Sequence, residues 1–270
     1  MTGGGLPFNP EQVMSDQRIV LANQFLGATV AWQCLAGQGD ANPVLWGKFQ
    51  GRRLILRLCA DNHLAFGADR NLEIQVLEAI QHYPWSPEVL HFSREHSWCL
   101  MRHHGCSLDQ FSDSQIRSDL PEYGVLLLAA VGDMQGIRQL PPFDYQRLFE
   151  HYRRRFKVID RMDLLRQVDE LQQWLSQLPQ SPLTLVHHDL HQGNFCLEQG
   201  RLVILDWEYA GCGNPWLDMA ALLRYHPVEL AQVAALPVCA GYSPSEIKLY
   251  LTLADKLNQQ LESLWIAARN

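Results

Sequence analysis

No run of this chain is long and apolar enough to cross a bilayer, no CxxC pair occurs among its seven cysteines, and positive charge is in deficit. Each absence excludes a class. A membrane-spanning helix needs about 20 consecutive apolar residues, and residues 1–10 show no basic stretch running into an apolar one, as a secretory signal would. An odd cysteine count without paired spacing favours reduced thiols over a disulfide framework. A net charge of −7 at pH 7 argues against a nucleic-acid surface and is compatible with a cationic or metal-bound ligand. Internal repeats and low-complexity linkers are missing as well. The expectation is a soluble, cytoplasmic protein with no membrane or nucleic-acid partner. What the chain does have is apolar substance: 270 residues, 47% of them hydrophobic, can furnish one large or two smaller domains.

Two apolar runs organise the second half. Residues 183–186 lead into His187-His188-Asp189-Leu190-His191-Gln192-Gly193-Asn194, and residues 202–205 end in Asp206-Trp207-Glu208. Between them, residues 194–197 and 202–205 flank Glu198-Gln199-Gly200-Arg201, with Gly in a turn position, which predicts a β-hairpin. An antiparallel hairpin sets the start of its first strand beside the end of its second, so Asn194 and Asp206 are expected together, one loop away from Asp189. An Asp and an Asn oxygen are enough for Mg²⁺, a hard cation that keeps its other positions for water and phosphate. Asp189, outside the metal shell, is then placed to accept a proton from an attacking hydroxyl. The order Asp, Asn, Asp is the phosphoryl-transfer pattern of kinases.

Upstream, Asn9-Pro10-Glu11-Gln12 supplies an N-cap, a Pro in the first turn and a Gln at the third helical position, predicting a helix to about residue 25 that Gly27 stops. Strand character marks residues 28–35, 44–49 and 53–58, with Gln50-Gly51 as a tight turn. The stretch Gly37-Gln38-Gly39-Asp40-Ala41-Asn42 reads as a plain hairpin loop or as a nucleotide-covering one, in which Gly37, Gly39 and Asn42 bring backbone amides over a phosphate. A helix over 68–82 carries Glu73 on the face of Val76, Leu77 and Ile80, where a carboxylate needs a partner. Strands at 86–92 and 97–101 complete a five-stranded sheet. Arg102-His103-His104-Gly105 then reads as a hinge, with His103 and His104 at the adenine position. It divides a nucleotide-binding lobe, 1–103, from a catalytic and substrate-binding lobe, 104–270. Helices are expected over 114–136, 144–160, 162–178 and 215–225. A last one opens at the capping box Ser243-Pro244-Ser245-Glu246, with Ile247, Leu251, Ala254, Leu257, Leu261 and Leu264 on one side.

The segment from His187 to Asn194 is similar to the HGDLHPGN loop of the aminoglycoside phosphotransferase and choline kinase superfamily. Leu205-Asp206-Trp207-Glu208-Tyr209-Ala210-Gly211, followed by Asn214-Pro215 and Leu217-Asp218-Met219-Ala220, most resembles the bacterial choline kinase and thiamine kinase branch. The resemblance implies a protein-kinase-like, two-lobe α+β fold: a small antiparallel-sheet N-lobe with one main helix, and a larger, mostly helical C-lobe. It implies transfer of the γ-phosphate of ATP to a small-molecule hydroxyl, with Asp189 as base and Asn194 and Asp206 holding Mg²⁺. By the same resemblance Arg57 takes the place of the phosphate-holding Lys and pairs with Glu73. His187, His191 and Asp218 support the loop. The chain also departs from the family pattern. His188 stands where Gly is usual, and Met134-Gln135 stands where a Leu-His is usual.

Trp207, Glu208, Tyr209 and Trp216 follow the metal Asp, and aromatic faces with a carboxylate suit a quaternary ammonium or thiazolium. That points to choline or thiamine as acceptor, although the same aromatics would equally pack a lobe core. Aminoglycosides and sugars are the other acceptors of the superfamily. Two rival readings are a catalytically silent nucleotide-binding relative and, from the cluster His187, His188, Asp189 and His191, a zinc hydrolase. The downstream Asn194 and Asp206 suit magnesium better than zinc.

Overall fold

Asn9 caps the first helix: its side-chain oxygen accepts from the Glu11 N–H at 3.0 Å, and Pro10 sits in the first turn. The computed structural model describes residues 9–35, 42–60, 67–95, 97–112, 114–116 and 122–269. The predicted single helix is in fact two. The first, α1 (Pro10–Met14), stops before Asp16, whose carboxylate accepts from Arg18 N at 2.8 Å and starts α2 (Gln17–Leu26). A side chain that competes for backbone donors breaks the run. Of residues 28–35 only β1 (Gln33–Cys34) is a strand. The Asn23 carboxamide oxygen accepts from both Val30 N and Trp32 Nε1, which holds this segment on α2 and away from the sheet.

The N-terminal sheet has the order β1, β2 (Val44–Phe49), β3 (Arg52–Leu58), β5 (Trp98–Arg102), β4 (Val89–Ser93), and every neighbour is antiparallel. Gln50 and Gly51 both take positive φ, the geometry of a primed two-residue turn. The register places Arg57 in mid-sheet, opposite Cys99 on one side and Val44 on the other. The expected nucleotide-covering residues Gly37 and Gly39 lie outside the described residues. One apolar cluster lies under this sheet, built from α1, α2, Val30, Trp32 and strands β2, β3 and β5.

Helix α3 (Arg70–Ile80), capped by Asp69, does not join that cluster: its Leu72, Val76 and Ile80 are buried in the larger core of the C-terminal lobe. Its N-terminal end docks there at close range. Gly67 has φ +83°, and a Cβ on it would lie 2.6 Å from the Leu148 Cδ1. Arg147 reaches Asp69 across the same junction at 3.2 Å.

The large core is enclosed by α4 (Tyr123–Gly136), α5 (Tyr145–Val158), α6 (Met162–Gln177), α7 (Trp216–Tyr225), α8 (Leu230–Val233) and α9 (Pro244–Arg269). Residues 114–116 are helical and α4 begins at Tyr123, while 117–121 lie outside the described residues. Helix α9 opens on a reciprocal box, Ser243 N donating to Glu246 Oε2 at 2.8 Å and Glu246 N to Ser243 Oγ at 3.3 Å. Two small ladders complete the lobe: β6 (Thr184–Val186) with β9 (Gly211–Gly213), and β7 (Phe195–Glu198) with β8 (Arg201–Ile204). Among the described residues no helix is long and apolar enough to cross a membrane.

Candidate active site

The two ladders deliver the functional side chains. Strand β6 runs into residues 187–191, and a 3-10 turn at Gln192–Asn194 feeds β7. Beyond the Phe195–Ile204 pair, Leu205 N donates to Asn194 O at 2.8 Å, so Asp206 follows directly on the residue facing Asn194. The Asn194 amide donates to the Asp189 carbonyl at 2.9 Å and to Asp189 Oδ2 at 3.0 Å. Asp189, Asn194 and Asp206 therefore meet, and Asp206 is close enough for the Asp189 charge to raise its proton affinity.

From the N-terminal lobe Arg57 reaches this group, donating from Nη1 to Asp206 Oδ1 at 2.5 Å and from Nη2 to Glu73 Oε1. The charge chain continues. Arg70 Nη1 lies 3.0 Å from Glu73 Oε2 and 2.7 Å from Glu208 Oε2, and Glu208 also accepts from Asn42 Nδ2 at 2.8 Å. Arg57 and Glu73 side chains are 6% and 1% exposed against 35% for Asp206, so the chain has a sealed end and an open one. Asp206 adopts a left-handed backbone, φ +59°. Burial foremost, then the Glu208, Glu73 and Asp189 carboxylates, push its pKa up to about 7 against the opposing pull of Arg57.

The wall around Asp189 is built differently. Asp218, buried on α7, accepts from His187 N at 2.7 Å and from His188 N at 2.9 Å. Burial still raises its carboxyl to about 7. His187 Nε2 lies 2.8 Å from the Leu205 carbonyl, which only accepts, so that nitrogen carries the proton and Nδ1 accepts from Asp189 N at 3.3 Å. His226 repeats the device, Nε2 donating to Leu190 O at 2.9 Å while Nδ1 takes the Tyr123 hydroxyl at 2.6 Å. Burial drives both imidazoles down to about 4, so they are neutral at pH 7. Asp189 itself stays below the ordinary carboxylate value. Burial opposes this, but His191, with Nε2 at 3.6 Å, together with His187 and the Asn194 amide, outweighs it. The His191 Nδ1 accepts from Gly193 N at 3.0 Å and holds the loop's turn.

Several side chains expected to contact ligand are engaged within the protein. Trp207 and Trp216 are core residues: Trp207 donates to Ile204 O at 2.9 Å and stacks on Trp85 at 5.6 Å, and Trp216 donates to Ser181 Oγ at 3.1 Å between Tyr242 and Tyr250. Neither shows a ring face to a ligand. Glu208 is engaged by Arg70 and Asn42 and is not free to pair with a cationic substrate. The Asn42 side chain is buried, its carboxamide oxygen accepting from Ala60 N at 2.7 Å. The His104 side chain is buried; its Nε2 accepts from Glu88 N at 3.0 Å and its Nδ1 lies 3.4 Å from Glu198 on the β7–β8 hairpin. The His103 N–H is committed to Arg53 O at 3.1 Å. The zinc reading lacks its geometry. The His187 and His188 rings are taken by backbone carbonyls, and among the described residues no group of three His, Cys, Asp or Glu side chains could hold a metal ion.

Tyr209 keeps some surface, and its hydroxyl accepts from Trp265 Nε1 of α9 at 3.2 Å. One turn earlier on α9, Glu262 accepts from the Tyr225 hydroxyl at 3.3 Å, and the Tyr225 carbonyl accepts from Gln192 of the catalytic loop at 2.9 Å. The Asp189 charge is felt by both Tyr209 and Tyr225. Three half-buried aromatics and a carboxylate thus line the base side, and Arg70, Tyr225, His226, Glu262 and Trp265 all escape a reading from sequence. The i, i+3 spacing of Glu262 and Trp265 off the apolar side of the last helix is the one signal for them.

A five-stranded antiparallel lobe joined through Arg57 and Asp206 to a helical lobe is the layout of a kinase-like phosphotransferase. The chain belongs to the phosphotransferase enzyme family, APH, whose profile matches residues 36–251. Among solved structures, the choline kinase LicA from Streptococcus pneumoniae aligns with a TM-score of 0.69 at 17% identity, over 94% of this chain and 91% of that one. The same enzyme has been solved in complex with AMP. A choline/ethanolamine kinase family protein from Mesorhizobium loti gives 0.65 at 20% identity, over 93% and 85%. A thermostable mutant of the aminoglycoside phosphotransferase APH(4)-Ia, in ternary complex with AMP-PNP and hygromycin B, gives 0.55 at 17% identity, over 94% and 99%. No curated protein sequence matches the chain.

Proposed function

We propose that the protein is an ATP-dependent kinase of small cationic alcohols of the choline type, with Asp189 as the general base. The observation that carries this reading is the meeting of Asp189, Asn194 and Asp206 against Arg57, which assembles a base, an amide oxygen, an acid and a guanidinium at the junction of the lobes. The acceptor hydroxyl attacks the γ-phosphorus of ATP while its proton passes to the Asp189 carboxylate, and the bond to the β–γ bridging oxygen breaks to release ADP. Asp189 is ionised at neutral pH and anchored by Asn194, so the base is oriented before the acceptor arrives. Arg57 keeps Glu73 as a fixed partner and turns its other nitrogen from Asp206 to the phosphate oxygens.

Asn194 and Asp206 fit a magnesium ion. The Asn194 nitrogen is committed to Asp189, which directs its oxygen elsewhere, and Asp206 lies among carboxylates whose mutual repulsion a divalent cation would relieve. When bound, that ion supplies neutralisation of the phosphate charge. Tyr209, Tyr225 and Trp265 gather aromatic rings beside the Glu262 carboxylate, and two of the rings already hold a cation, Arg224 over Tyr225 at 5.6 Å and Arg269 over Trp265 at 4.3 Å, the chemistry that recognises a quaternary ammonium. All seven cysteines are free, which fits a reducing cytoplasm.

The test is ADP release by the purified protein with ATP and Mg²⁺ against choline, ethanolamine, thiamine, aminoglycosides and sugars. Choline-type acceptors are expected to turn over best, and Asp189→Ala to lower kcat by roughly 10²–10⁴-fold with the fold intact. Full activity in that variant removes the base, and turnover confined to uncharged sugars removes the acceptor class.

A further inference from the structure

His188 stands directly before the base, where the family pattern has glycine, and its backbone is left-handed, φ +68°. Glycine adopts that conformation freely, whereas a histidine adopts it against strain. A glycine would serve the backbone better, so whatever the histidine contributes lies in its ring. Ring nitrogen Nδ1 lies 2.8 Å from the Tyr209 carbonyl and must donate to it; Nε2 therefore accepts from the Tyr145 hydroxyl at 2.5 Å. Burial holds the imidazole neutral, down to about 4, as this tautomer requires. Its ring packs on Phe143 at 4.5 Å and meets Tyr145 edge-on at 5.4 Å. Strand β9 leaves the room for it: a Cβ on Gly213 would lie 2.6 Å from the Tyr145 hydroxyl and 3.0 Å from His188 Nε2. Meanwhile the His188 N–H is held by Asp218 at 2.9 Å.

We propose that His188 is a positioning residue, its imidazole clamping the Asp189 loop to the Tyr209 carbonyl and to Tyr145 at the start of α5, so that base and acceptor wall keep a fixed relation. This rests on the reading of Asp189 as the base of a kinase. The clamp ties together two segments far apart in sequence, residues 143–145 and 209, at the peptide that aims the base.

Four variants of the full chain test it: His188→Gly, His188→Asn, Tyr145→Phe and the double variant His188→Gly with Tyr145→Phe, each read by steady-state kinetics and by amide hydrogen exchange over residues 187–194. His188→Gly should fold, since it relieves the left-handed strain. Yet its loop amides should exchange faster and its kcat fall by on the order of 10²-fold, with KM for ATP unchanged. His188→Asn tolerates the same backbone and keeps a donor for the Tyr209 carbonyl, so it should recover part of the loss. Tyr145→Phe should cost less, and nothing further once His188 is glycine. Wild-type kcat or unaltered loop exchange in His188→Gly overturns the clamp. Should the wild type phosphorylate no acceptor, the kinase reading fails; exchange in the unliganded protein still decides the clamp, faster exchange supporting it and unaltered exchange overturning it.

Discussion

The two walls of the site are held by different physics. On the wall proposed for the nucleotide, Arg57, Glu73, Arg70 and Glu208 form a run of charged side chains, each shared between two partners. On the base wall, neutral imidazoles of His187, His188 and His226 donate to backbone carbonyls, and Asp218 accepts from backbone amides. A buried charge network is stable only while every member keeps its partner. Neutral hydrogen bonds to the backbone are far less sensitive to charge arriving nearby. The division suits the proposed phosphoryl transfer, in which phosphates and a cation would displace only the part-buried Arg57–Asp206 contact and leave Asp189 aimed as it is.

The sharpest way to break this contrast is Arg57→Ala. It leaves Asp206 without a cation and Glu73 with Arg70 alone, and the expected loss is about 3 kcal/mol in urea unfolding. A loss under about 1 kcal/mol would show that the charge run does not hold the nucleotide wall. The base wall should reveal itself by pH instead. His226 has a folded pKa of about 4 against an ordinary 6.5, so its contribution is present above pH 6.5 and lost as pH falls towards 4. Asp206 and Asp218, with raised values, act in the opposite direction and flatten the total slope. His226→Asn should therefore remove about one proton's worth of slope, roughly 1.4 kcal/mol per pH unit, from the unfolding free energy over that window. An unchanged slope would mean the ring is not held neutral. The smallest effect expected is at the acceptor: Trp265→Ala should raise KM for a cationic alcohol about 5-fold, near 1 kcal/mol of cation–π attraction, and leave KM for ATP alone. Equal losses for cationic and uncharged acceptors would assign Trp265 to packing.

What could be read in the sequence was local. Gln50-Gly51 and Gln199-Gly200 carry their own turn chemistry, so both hairpins and the meeting of Asn194 with Asp206 follow from neighbours in the chain. Glu73 revealed its need for a partner through helical spacing, and Arg57 is that partner. Arg70 and Glu208 lie 138 positions apart, and until folding joins them Arg70 reads as an ordinary charged residue and Glu208 as a carboxylate for a cationic ligand. Trp207 and Trp216 show the converse error, because an aromatic next to a functional acid looks the same in sequence whether it faces ligand or core. The break between α1 and α2 was missed because Asp16 and Arg18 interact within a pattern that otherwise continues as helix.

Gly67 has a mechanical consequence. With Leu148 Cδ1 2.6 Å from where a first side-chain carbon would go, a larger residue at that point would have to turn the Leu148 tip aside, and at φ +83° it would also hold its own backbone against strain. The turn that leads into α3, the helix that carries Glu73, is thus reserved for the one residue type with no side chain.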